Sequence, residues 1–128
     1  MQWIRRIAVL FYCGLIFYIS SQHMPEKLPV FDHIDLLIHF SIYGVLALLS
    51  LRMFLIEKPE YIRQNAILLS FVFTVLYGMS DEFHQKFVPT RHMSLLDLAA
   101  DTLGAVVVLS LMRKTVWYRQ TLNRGTGK

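Results

Sequence analysis

Four stretches of this chain are almost free of charge over about the length a helix needs to cross a lipid bilayer, and this decides the class of fold before any motif is read. From Ile7 to Pro25 there is no Asp, Glu, Lys or Arg. A second run goes from Ile34 to Ile56, broken by Asp35, His39 and Arg52, and a third, Gln64 to Ser80, has no charge at all. The fourth, Met93 to Met112, holds Asp97 and Asp101 inside it. Each approaches the roughly 20 residues that span a hydrocarbon core of about 30 Å. Of the 128 residues 55% are hydrophobic and 17% charged, with mean hydropathy +0.44. A soluble domain of this size has too little interior to hide such a load. The predicted architecture is all-α, one domain over residues 1–128, a four-helix transmembrane bundle with helices at about 5–21, 34–56, 64–84 and 93–113.

The prolines agree with this division, since Pro25, Pro29, Pro59 and Pro89 all fall between runs, where a missing N–H does no harm. The first run follows Arg5 and Arg6 as a signal peptide would, yet Tyr18 to Gln22 offer no pair of small residues for cleavage, so it reads as a retained helix. The lone cysteine, Cys13, cannot build a disulfide within the chain. Basic residues set the orientation. With both termini in the cytoplasm, ten of the thirteen Lys and Arg lie inside and only Lys27, Lys86 and Arg91 outside. That distribution by membrane side also argues against nucleic acid as the reason for a net charge of +4. The same topology sends all five histidines and seven of the nine acids to the outer half, so any chemistry belongs there.

Helical spacing gathers these groups into three rows. Asp35, His39 and Tyr43 run down the second helix; Tyr77, Asp81, His84 and Gln85 lie at the outer end of the third, with Glu82 nearby; Ser94, Asp97 and Asp101 enter the fourth. Three rows at one depth predict one shared pocket. Asp101 sits about 12 Å of helix rise inside its segment. A carboxylate there costs about 2.5–3.5 kcal/mol to insert and needs a partner, either as hydrogen-bonding glue between helices or as part of a site. Asp97, three residues after Ser94, reads first as part of a helix cap, and Asp32 and Asp35 as acids at the positive end of the second helix. Asp81 and His84 could serve as acid and base, supported by Asp101. His39, Asp81, His84 and Asp101 suffice in number for a metal, but no HExxH, paired cysteines or DxD spacing accompanies them, and no metal or other cofactor is predicted. Arg91, in a loop rich in acids, either clamps an anionic head group or pairs with Asp81 or Glu82.

Ser20, Ser21 and Gln22 after the first helix, Asp35 with Ile38, His39, Phe40 and Tyr43, the stretch Tyr77, Gly78, Ser80, Asp81, Glu82, His84, Gln85, Phe87, Pro89 and Arg91, and Asp97, Ala100, Asp101 and Gly104 together resemble the VanZ-like family over about residues 5–112. One departure is Leu36, where the family usually carries a basic residue after the helix-opening acid. The resemblance implies a four-helix protein of the bacterial cytoplasmic membrane, related to an accessory factor in teicoplanin resistance, and it supplies no reaction. Two functions follow as expectations. One is an envelope factor that binds an envelope lipid, lipid-linked precursor or glycopeptide-type molecule through Asp35, His39, Tyr43, Tyr77, Glu82, Gln85, Arg91 and Asp97. The other is a membrane hydrolase or transferase using Asp81, His84 and Asp101. Transport fits poorly, because the inner half offers no ionisable path.

Overall fold

The computed structural model of the protein describes residues 2–22 and 32–125, apart from the side chains of 32, 33 and 118–125. His23, Glu26 and Lys27 lie outside the described residues, as do the side chains of Asp32 and His33. The described residues form five helices: α1 (Gln2–Ser20), α2 (Asp32–Phe54), α3 (Glu60–Gln64), α4 (Ala66–Gln85) and α5 (Leu95–Gly125). Four contain segments long and apolar enough to cross a membrane: Gln2–Ser20, Ile34–Phe54, Ala66–Gln85 and Leu95–Trp117. Among the described residues there is no strand. The expected all-α bundle of four spanning helices is what forms.

Two features depart furthest from the expectation. A single turn, α3, occupies part of the polar connection after α2, starting after Pro59, whose φ of −62° suits a helix entry. The last helix runs on to Gly125, because no proline or glycine follows Gly104 until that position.

The four long helices alternate in direction, and α2 is central, packing most extensively on α5 and then on α4 and α1. The α2–α5 contact is backbone against backbone. A Cβ on Gly44 would lie 3.1 Å from Val108 Cγ2 and 3.5 Å from the Gly104 carbonyl oxygen, and a Cβ on Gly104 would collide with the Phe40 carbonyl. Without hydrophobic driving force between helices in lipid, small residues permit this approach and the gain in dispersion contact holds it. Helix α4 uses the same device. Ala66, Ser70, Thr74 and Gly78, four residues apart, are all buried and form its inner edge. The interior is apolar in two patches, Ala47, Leu51, Ala66, Ala105 and Leu109 in one and Val9, Ile16, Tyr43 and Leu46 in the other. The outward faces are apolar too: Phe11, Leu96 and Leu111 are 73%, 70% and 74% exposed. Such faces suit hydrocarbon as the surrounding medium and would be costly in water.

One end of the bundle collects Arg5, Arg6, Arg52, Lys58, Arg63 and Arg113; the other collects Asp35, Asp81, Glu82, Asp97 and Asp101 with His39, His84 and His92. At the basic end α1 is fastened by long polar side chains. Gln2 Nε2 donates to the Ile56 carbonyl at 2.7 Å, Arg5 to that of Arg52 at 2.7 Å, and Arg6 forks onto both Glu57 oxygens at 2.9 and 2.5 Å.

Candidate functional site

The acid–histidine end is built from the last turn of α1, the first turns of α2, the end of α4 and the start of α5. Because Phe40 lies against Gly104, the residue before it and the residue one turn earlier on α5 also meet: His39 Nδ1 stands 2.9 Å from Asp101 Oδ1. Asp101 is 1% exposed, so the partner demanded by a mid-helix carboxylate is His39. Gly78 brings α4 up to the same pair. A Cβ there would lie 3.1 Å from Asp101 Oδ2 and 3.3 Å from Tyr43 Cε1. One turn later on the same edge, Glu82 is wholly buried; its Oε2 accepts the backbone N–H of Ser94 at 2.7 Å. The Tyr43 ring lies parallel to His39, centroids 6.3 Å apart.

Each of three side chains here presents a buried oxygen with no hydrogen-bond partner: Tyr43 Oη, Glu82 Oε1 and Asp101 Oδ2. His39, Glu82 and Asp101 each offer one ligand-capable atom, and these atoms lie within 4.8 Å of one another. This trio differs from the four residues that sequence spacing grouped, with Glu82 entering and Asp81 and His84 absent.

Asp81 and His84 do not meet each other. Asp81, 5% exposed, accepts from Ser20 Oγ at 2.5 Å and from Gln85 Nε2 at 3.1 Å. His84 turns to α1, where Nε2 is 3.0 Å from Ser21 Oγ and the ring packs on Phe17 at 4.4 Å. Tyr77 donates to the Cys13 carbonyl at 2.6 Å. Arg91 pairs with neither Asp81 nor Glu82 among the described contacts. Its Nε and Nη2 donate to the carbonyls of Gln22 and Ile19 at 3.2 and 3.3 Å, where cations complement the negative end of a helix. The chain reaches that point through Thr90, whose φ of 69° is rare for a β-branched residue. The cap on α5 forms as the spacing of Ser94 and Asp97 indicates, with the Asp97 N–H donating to Ser94 Oγ at 3.2 Å.

Between α1, α2 and α4 is a cavity of about 50 Å³, which Tyr77, Glu82, His84, Asp97 and Asp101 do not line. Its polar floor is His39, Tyr43, Asp81 and Gln85, Asp35 and Arg91 stand at the rim, and its walls are Ile16, Ile19, Ile38 and Ile42. Such a space holds a few waters or one small polar group.

Glu82 is the residue whose weight spacing understated, and the row Ala66, Ser70, Thr74, Gly78 leads to it in steps of four. Ser20 and Ser21 belong with Asp81 and His84 across more than sixty positions of chain, a pairing that local spacing does not announce.

A family model described as VanZ/LLP1 matches residues 14–118, which takes in α2 to α4 whole and every site residue above. No curated protein and no solved structure matches the chain.

Proposed function

The chain belongs to the VanZ/LLP1 family and is a multi-pass membrane protein, and from that premise we propose that it is a bacterial envelope factor that binds the polar head of an envelope lipid, lipid-linked precursor or glycopeptide-type molecule. The observation that carries the reading is the cavity: a polar floor of His39, Tyr43, Asp81 and Gln85 framed by four isoleucines. A head group with its attached apolar chain matches that pairing of surfaces, and a wholly soluble ligand does not. In this reading Asp35 and Arg91 meet the ligand at the rim. The cavity admits one polar group of the ligand at a time, so the rest of the head stays at the membrane surface.

Both termini face the cytoplasm in this proposal, with the cavity toward the outer leaflet of the cytoplasmic membrane. Support comes from the ten basic residues that this arrangement keeps inside. In a Cys13→Ala background, an impermeant thiol reagent added outside whole cells is expected to label His92→Cys and not Lys114→Cys; the reverse pattern would reject the orientation.

A second reading, a membrane hydrolase or transferase, is favoured by one contact. Asp101 holds His39 through Nδ1, the arrangement by which a carboxylate orients an imidazole for proton transfer. Purified protein mixed with labelled envelope lipids separates the two. A binder retains about one lipid per chain and releases no product; an enzyme turns over, and His39→Ala lowers its rate by about 10²- to 10⁴-fold. Absence of both retention and turnover across the envelope lipids would sink the function proposed here.

A further inference from the structure

We propose that His39, Glu82 and Asp101 bind one divalent first-row transition-metal ion, of the zinc or manganese class, where α2, α4 and α5 meet. The three donors lie within 4.8 Å of one another. Metal–ligand bonds of about 2.0–2.2 Å place the ligand atoms of one ion up to about 4.4 Å apart, so the cluster closes around an ion with small side-chain adjustments.

Unfilled valence is the independent observation. Glu82 is 0% and Asp101 1% exposed, and each keeps one oxygen without a partner. The Tyr43 ring lies against the pair, its Cε1 and Asp101 Oδ2 both overlying Gly78. An unmet buried carboxylate oxygen is costly, and two in one cluster indicate a missing common partner. The partner is cationic by charge balance. Two carboxylates between helices of a bilayer are neutralised by one divalent ion, with the imidazole left neutral as a ligand.

The donor set selects the kind of ion. One imidazole with two carboxylates suits zinc, manganese or iron, whereas calcium and magnesium favour all-oxygen shells. Glu82 is already fixed for the task, because the Ser94 N–H holds Oε2 and leaves Oε1 to the ion. Asp81 stays out of the shell, since Ser20 and Gln85 occupy both of its oxygens. The site goes beyond the ligand role proposed above and stands without it.

The test uses the full-length chain in detergent, stripped with chelator and reloaded separately with Zn²⁺, Mn²⁺ and Co²⁺. Elemental analysis after gel filtration is expected to find about one ion per chain, and Co²⁺ to give visible d–d absorption that Zn²⁺ removes. Glu82→Gln and Asp101→Asn should weaken binding by at least the roughly 10- to 100-fold that loss of even an outer-shell partner costs. Glu57→Gln, which removes a carboxylate at the opposite end, should bind as the wild type does. No retained ion, or equal binding by all three variants, overturns the proposal. Should the buried substitutions unfold the chain, the wild-type Co²⁺ spectrum decides by itself: without displaceable absorption, protons neutralise the cluster and no metal site exists. Lipid retention, measured on the same preparations, fails or succeeds separately.

Discussion

The two ends of the bundle carry similar numbers of polar groups and treat them oppositely. At the basic end every described tie is closed: Arg6 takes both oxygens of Glu57, and Gln2 and Arg5 cap carbonyls that α2 and the turn after it leave open. Those ties are half-exposed, made by long side chains, and water could replace any of them. At the acid–histidine end the groups are short, buried and held by backbone packing, and three oxygens are left over. The difference separates fastening from function. Unmet buried carboxylates beside closed ones such as Asp81 are what the proposed metal site rests on.

The harshest way to break this contrast is to part α2 from α5. Gly104→Ala should cost about 1–3 kcal/mol or more, read as a lower unfolding temperature in detergent, because its Cβ meets Phe40 backbone that cannot step aside. Gly14→Ala is the matched control, with nothing within 4 Å of the added carbon, and should be neutral or slightly stabilising. Next comes Asp101→Ala, which leaves the half-buried His39 imidazole without its acceptor. A loss of about 1–3 kcal/mol is expected. A double-mutant cycle with His39→Ala should return a coupling nearer the ~0.6 kcal/mol average, and at most ~2, found for polar contacts between membrane helices. A coupling of zero would mean that the two ends do not differ as argued.

Smaller effects sharpen the comparison. Arg91→Ala frees the carbonyls of Ile19 and Gln22 and should speed amide exchange in the last turn of α1 while the centre of α1 is unchanged. Smallest of all is Glu57→Gln, for which no shift in melting temperature is expected at neutral pH beyond a salt-sensitive trace, as for exposed pairs generally. The hydrogen bonds and charge of Arg6 hold the Glu57 carboxyl below the ordinary glutamate value of about 4.5. A depressed carboxyl stabilises the fold above its unfolded value and loses that contribution as pH falls through the folded one. Acid melts of the wild type should therefore show a small loss below pH 4.5 that Glu57→Gln lacks.

The spanning helices were legible because hydropathy over twenty residues is a strong, local signal. So was the Ser94 cap, which spans three residues. The short α3 was not, since a single turn in a polar connection has no periodicity to read. The site was legible in part. Spacing placed Asp35, His39 and Tyr43 on one helix row and Asp101 among the buried groups. It could not say that Asp81 would be closed by Ser20, that His84 would turn to Ser21, or that Arg91 would cap α1, because those pairings depend on which helices neighbour which. Glu82 lay off the row drawn through Asp81 and Gln85; only the small residues leading to it reveal that two adjacent edges of α4 face inward.

The two tryptophans act as a depth gauge. Trp3 and Trp117 are the only ones in the chain, both stand at the basic end, and they are 71% and 66% exposed, as expected for rings moored at a head-group boundary. From Trp117 back to Asp101 is sixteen helical steps, about 24 Å along an upright axis. In a hydrocarbon slab about 30 Å thick that leaves the carboxylate about 6 Å beneath the far surface. An ion or a phosphate could reach that level by sinking past a few methylenes, without traversing the membrane.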